Sequence, residues 1–203
     1  MEDTIQYWID RHQRLSHKLA SVGDVRKTEE ENITLYAWKK REVFDVLRTL
    51  GLTDLTDMSL LDAGCGSGLV SEFFWALGAN VSGVDVSDDA LRQAALRVPL
   101  GTFRRSPLTS FDLHRAYDIV FCADVLYHIV DNAAWDQALE RLARHTSPGG
   151  YLFVLEHLGP REHSPASHVR HRTLPAYQQA LRGMGLIEQP VEKPQMNLVW
   201  RRP

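Results

Sequence analysis

The stretch "LLDAGCGSG", Leu60 to Gly68, places a carboxylate and three alternating glycines where an apolar run gives way to helical spacing. Asp62, Gly64, Gly66 and Gly68 form the pattern D-x-G-x-G-x-G. Glycines let the backbone turn sharply and let a ligand lie against it. No lysine follows them, which excludes the phosphate loop whose lysine meets phosphate. The dinucleotide fingerprint G-x-G-x-x-G fails at its last position, which is Leu69 when counted from Gly64 and Gly66. That fingerprint also puts a pyrophosphate at the helix N-terminus, and Asp62 would repel it. A carboxylate at a strand end suits a ligand with a positive end. Packing alone also produces such turns, so the loop by itself leaves both readings open.

A second carboxylate narrows the choice. "VSGVDVS" sets Asp85 at the end of the next strand, seventeen positions after Gly68. An acidic residue about 20 positions on grips a ribose diol by two hydrogen bonds. Nicotinamide enzymes share this feature, so it speaks for an adenosine ligand rather than for one cofactor. A helix-starting Asp is the plainer reading, although Ser87 and Asp88 also suit that cap. S-adenosylmethionine fits both carboxylates, with an ammonium, a sulfonium, a ribose and no phosphate. Asp62 would place the ammonium end, directly or through water.

The elements that must position these residues are legible in the periodicity. From Ser59 onward, short apolar runs alternate with helical patterns. Strands are expected at "SLLDAG", "NVSGVDVS", the start of "YDIVFCADVLYHI", and "GGYLFVLEHL". Helices are expected over Leu69 to Leu77, Asp88 to Arg97, Ala133 to His145 and Leu174 to Met184. Such alternation predicts a parallel sheet covered by helices on both faces. "LIEQPVEK" and "MNLVWRRP" read as a closing hairpin. Before Ser59 the apolar spacing of Ile5, Trp8, Ile9, Leu15 and Leu19 predicts one helix. That of Leu35, Trp38, Val43, Phe44 and Leu47 predicts another, with "SVGDVRKTEEEN" as a turn between them. The expected division is a helical extension over 1–55, read either as a lid or as a packing helix, and one α/β domain over 56–203.

Four pieces, in order, resemble the class I S-adenosylmethionine-dependent methyltransferases: "LLDAGCGSG", "VSGVDVS", "YDIVFCADVLYHIVD" and "SPGGYLFVLEH". The likeness covers about Leu60 to Phe153 and points to the small-molecule branch. There is no N-P-P-[YFW] signature for amino groups of adenine bases. The resemblance implies a Rossmann-like, doubly wound, seven-stranded sheet whose last strand is antiparallel. It also implies that Asp62, Gly64, Gly66, Gly68, Asp85, Val86, Ser106, Cys122, Ala123 and Tyr127 border the cofactor. Many relatives have an acidic residue that meets the adenine amino group. Here Ser106 or Pro107 falls near that place, which leaves adenine to a backbone N–H, a hydroxyl or apolar contacts. Cys65 and Cys122 read more simply as small apolar fillers.

Methyl transfer from a sulfonium needs mainly alignment, proximity and exclusion of water. A general base is required only for a weakly acidic hydroxyl or a protonated amine. His128 and His157 follow strands at the expected mouth, and histidine is the usual proton acceptor near neutral pH, so they are the candidate bases. Tyr127 and Glu156 are weaker candidates for orienting the acceptor. On the N-terminal helix Tyr7, Trp8, Arg11 and His12 are candidates for an acceptor pocket, with Tyr36 and Arg41 behind them. Arg170 and Arg172 are candidate partners for a carboxylate or phosphate on the acceptor, with solvated loop arginines as the plainer reading. His168 and His171 are three apart, but Pro160 and Pro165 argue for a loop and no further ligands complete a metal set.

The bulk numbers agree with an ordinary globular protein. The 203 residues are 44% hydrophobic and 24% charged, with a net charge of −3, so the chain as a whole carries no nucleic-acid footprint. No apolar run is long enough for a membrane span, and the N-terminal stretch lacks a signal peptide's apolar core. Two cysteines suit a reducing compartment, hence the cytoplasm. The expected activity is methyl transfer to an O or N atom of a small molecule, in natural-product or sugar modification. Two alternatives stand beside it: a non-catalytic module that binds the adenosine cofactor for a partner enzyme, and an NAD(P)-dependent oxidoreductase.

Overall fold

The computed structural model describes residues 2–16, 18–191 and 197–203. Two helices come first, α1 (Glu2–Arg14) and α2 (Glu29–Thr49). An alternating series follows: β1 (Ser59–Ala63), α3 (Leu69–Ala76), β2 (Asn80–Asp85), α4 (Asp88–Arg97), β3 (Thr102–Arg105) and β4 (Tyr117–Ala123). Then come α5 (Asn132–His145), β5 (Thr146–Leu155), a small hairpin of β6 (His163–Ala166) and β7 (Val169–His171), α6 (Leu174–Gly183), β8 (Ile187–Gln189) and β9 (Asn197–Arg201). Seven strands form one sheet in the order β3-β2-β1-β4-β5-β9-β8. Strands β3 to β5 run parallel with β1 and β2, whereas β9 is antiparallel to both its neighbours. The doubly wound seven-stranded sheet is thus the one expected.

The strands alternate their side chains between two cores. Leu61, Val120, Cys122, Leu152 and Val154 point to the face covered by α5 and α6, where Leu139, Leu142 and Leu181 meet them. Leu60, Ile119, Phe121, Phe153 and Leu155 point to the other face, against Phe74 of α3 and Val43, Val46 and Leu47 of α2. The second half of α2 is therefore part of the core. Cys122 is a fully buried filler in the first core.

Three departures from expectation have local causes. The segment read as a turn, "TEEEN", is the capped start of α2. The Thr28 hydroxyl accepts from Glu31 N–H at 3.2 Å and the Glu31 carboxylate from Thr28 N–H at 2.7 Å. This capping box satisfies donors that no apolar pattern announces. Strand β3 was not anticipated because it is an edge strand with mostly exposed side chains and no buried alternation. The proline-containing segment read as a loop holds the β6–β7 hairpin, which pairs His163 with His171 across an irregular register.

Candidate functional site

Neighbouring strands β1 and β4 are followed by helices on opposite faces, so a crevice opens beyond their carboxyl ends. The glycine loop forms its floor. Gly68 has φ 79°, and a Cβ there would stand 2.7 Å from the Ala94 Cα on α4. Any larger residue would separate the two helices. Gly66 has φ 51° and lies under Val22, from the turn after α1, with a Cβ reaching within 2.7 Å of it.

Two carboxylates face the crevice from adjacent strands. Asp62, 3% exposed, accepts a 2.6 Å hydrogen bond from the Ser71 hydroxyl. Burial first, and the charge of Asp85 after it, push its pKa up to about 7. Asp85 accepts from Gly66 N–H at 2.9 Å on one oxygen and from Ser87 N–H at 3.0 Å on the other. Burial raises its pKa too, while nearby His12 pulls it down. A carboxylate offers about four lone pairs, so Asp85 keeps acceptor capacity beyond these backbone bonds.

Beyond β4 the chain turns sharply. Asp124 has φ 57°, a conformation that costs a non-glycine residue energy, and its carboxylate pairs with Lys39 of α2. Glu156, at the end of β5, binds the next turn by accepting from Val125, Leu126 and Tyr127 N–H at 2.9–3.1 Å. Its carboxylate is spent on backbone rather than turned to an acceptor. His128 lines the crevice, and its Nδ1–H donates to the His168 carbonyl at 3.0 Å. That bond fixes the tautomer and leaves Nε2 with a lone pair. Burial drives the His128 pKa down to about 4, so the ring is neutral in the physiological range.

Helix α1 covers the opening. Thr4, Ile5, Trp8 and His12 line the crevice, and Trp8 meets His128 edge-on at 4.8 Å. Tyr36 and Lys39 of α2 complete that side, and the Tyr36 hydroxyl donates to Val22 O at 3.0 Å. Across the crevice stand Val86, Ser106, Pro107 and Ala123. Most of the remaining wall is apolar: Val43, Val70, Phe121, Val125 and Leu155.

Other candidates fall elsewhere. His157 is exposed and is not on the crevice wall, its carbonyl accepting from His171 Nδ1–H at 2.9 Å. The two histidines expected to act alike are therefore separated. Tyr127 stacks on His171 at 5.5 Å, Tyr7 on His168 at 4.6 Å, and neither lines the crevice. Arg11 is spent on the Ala20 and Gly23 carbonyls and lies 4.7 Å over the Trp8 ring. Arg172, expected to meet an acidic acceptor, is 3% exposed. It donates to the Ile129, Val130 and Asp131 carbonyls and to the Asn132 side chain, at 3.0–3.5 Å. Arg41 is exposed. Lys39 and Asp124 were not singled out in the sequence. The signal for Lys39 was its place three residues after Tyr36 and four before Val43, on one helix face. Among the described residues, no three His, Cys, Asp or Glu side chains form a metal-binding group.

Comparison with known proteins places this geometry in context. A family model described as a methyltransferase domain matches residues 35–189. A ubiquinone biosynthesis O-methyltransferase from Nitrosomonas europaea is 34% identical over 105 residues, covering 49% of this chain and 43% of that protein. The match thus spans less than half the length of that relative. Magnesium protoporphyrin IX methyltransferase from Synechocystis PCC 6803, solved with bound SAH, superposes with a TM-score of 0.72 at 20% identity, covering 96% of this chain and 94% of that one. An amino pentose methyltransferase from Micromonospora echinaspora, solved with SAM, gives 0.68 at 18% identity, covering 84% and 97%.

Proposed function

The chain belongs to the methyltransferase-domain family, and on that premise we propose that it moves the methyl group of S-adenosylmethionine to a hydroxyl oxygen of a small apolar acceptor. The observation that carries this reading is a single crevice with two unlike sides. Toward β2 and β1 stand two carboxylates with spare hydrogen-bonding capacity, half-buried Asp85 and buried Asp62. Toward β4 stands a neutral imidazole in a mostly apolar wall.

The residues fit the methyl donor. The remaining acceptor capacity of Asp85 matches a ribose hydroxyl, and buried Asp62 has no cationic partner among the described residues, which an ammonium group would supply. The apolar wall near Ser106, Pro107 and Leu108 suits a planar base. S-adenosylmethionine, when bound, supplies a methyl group on an already activated sulfonium. This chain's part is to align and to exclude water, with α1 as the cover that must open for exchange. His128 Nε2 takes the proton of the acceptor hydroxyl as the oxygen is methylated. Oxygen is favoured over nitrogen because the relative at 34% identity is named an O-methyltransferase, while the amino-sugar enzyme shares only the fold.

An acceptor screen read by S-adenosylhomocysteine release tests the reading. Turnover of apolar alcohols or phenols is expected, with kcat falling by about 100-fold in His128→Asn and cofactor affinity unchanged. Turnover confined to amino compounds would move the acceptor atom to nitrogen. Cofactor binding with no turnover across the library would favour a non-catalytic module.

A further inference from the structure

Among the described residues, buried side-chain nitrogens without a hydrogen-bond partner occur on His12, Arg97, Trp135 and Trp200. Only His12 lines the crevice. It is 3% exposed, and both its Nδ1 and its Nε2 lack a partner. A buried donor left unsatisfied is costly, and native proteins seldom keep one without use. The side chain is also held in place. Arg11, the preceding residue, ties α1 to the Ala20 and Gly23 carbonyls, and the Trp8 ring lies 5.7 Å from the imidazole.

We propose that His12 is the residue through which α1 holds the ribose of the adenosine ligand, facing Asp85; this rests on the cofactor reading above. Donors and acceptors complement one another across the ligand. The Asp85 carboxylate accepts backbone N–H groups on both oxygens and still has acceptor capacity for a ribose O–H. The ribose oxygens then have lone pairs in need of a donor. Burial keeps the His12 imidazole neutral, so it brings one N–H for a ribose oxygen. The same contact joins the cover to the ligand: α1 gains a hydrogen bond only when adenosine is present.

The test uses the full chain as wild type and His12→Phe, which keeps the ring's bulk. Calorimetry with S-adenosylhomocysteine should show about tenfold weaker binding for His12→Phe, from one lost hydrogen bond. The unliganded variant should melt no lower than wild type, since two unsatisfied nitrogens are removed. The preference of wild type for adenosine over 2′,3′-dideoxyadenosine should shrink in the variant. Unchanged homocysteine-nucleoside affinity, or an equal loss for both nucleosides, would overturn the proposal. A measurement on wild type alone stands behind the variant. Adenosine should shift the His12 ring nitrogen resonances and the dideoxynucleoside should not; equal shifts overturn the assignment. Wild type that binds neither S-adenosylhomocysteine nor adenosine would instead overturn the cofactor reading itself.

Discussion

Two groups of buried polar side chains border the crevice, and they use their hydrogen-bonding capacity in opposite ways. Arg172 and Arg11 are charged, buried and close to the opening, yet their guanidinium groups are consumed by backbone carbonyls of the loops they hold. Asp62 and His12 are equally buried and Asp85 is half-buried, and each keeps capacity that the protein does not use. The arginines are structural because a buried guanidinium must find acceptors, and loop carbonyls were available. The glycine-loop side has few such partners to offer. Residue type near a cleft is therefore a poor guide to ligand contact. Unspent lone pairs and donors are a better one.

The largest expected effect lies on the spent side. Arg172→Ala removes donors from three carbonyls and one amide oxygen and should cost roughly 2–4 kcal/mol of stability, measured by denaturant unfolding. Arg172→Lys should recover little, because an ammonium cannot reproduce the planar fork. Cofactor affinity of the folded variant should stay within about twofold of wild type. A large loss of affinity with little loss of stability would erase the contrast between the two groups.

On the unspent side the effect is smaller and of the other kind. Asp85→Ala should weaken S-adenosylhomocysteine binding by roughly 1–3 kcal/mol, from ribose hydroxyls left unpaired. Its melting temperature should fall less than that of Arg172→Ala. Calorimetry beside thermal melting separates the two quantities. Unchanged affinity in a folded Asp85→Ala protein would remove Asp85 from the ribose.

The same contrast explains what was readable in the sequence. The sheet was legible because β1, β4 and β5 are apolar runs buried on both faces, and such runs carry a strong pattern. Strand β3 was not, since its exposed side chains leave no pattern. The glycine loop was legible because positive φ and close approach to Ala94 restrict Gly68 by chemistry alone. The arginines and histidines after β5 were not. Whether Arg172 faces an acceptor or Ile129, and whether His157 or His128 enters the crevice, depends on how a hairpin folds back over β4. No local periodicity encodes that. Glu156 illustrates the point: a carboxylate at the end of a parallel strand suggests chemistry, but here it caps a turn thirty residues away in the chain, at Leu126.

The smallest expected effect is a pH dependence, and it probes Asp62 alone. With its folded pKa raised from the ordinary carboxylate range to about 7, the folded state holds this proton more tightly than the unfolded chain does. The stabilising contribution is fully present below about pH 4 and is lost as pH rises through 7. An ammonium group beside Asp62 reverses the preference by favouring the carboxylate, so binding releases a proton. S-adenosylhomocysteine affinity should then be level above about pH 7 and fall roughly severalfold between pH 7 and pH 6. The ligand-induced rise in melting temperature should grow over the same interval. Asp62→Asn keeps the shape and removes the charge. It should be more stable than wild type without ligand at pH 8, bind more weakly there, and show a flatter pH profile between 5 and 7. A variant that keeps the wild-type profile would assign the titration to Asp85 and His12, and would place Asp62 with the arginines as a group whose needs the fold already meets.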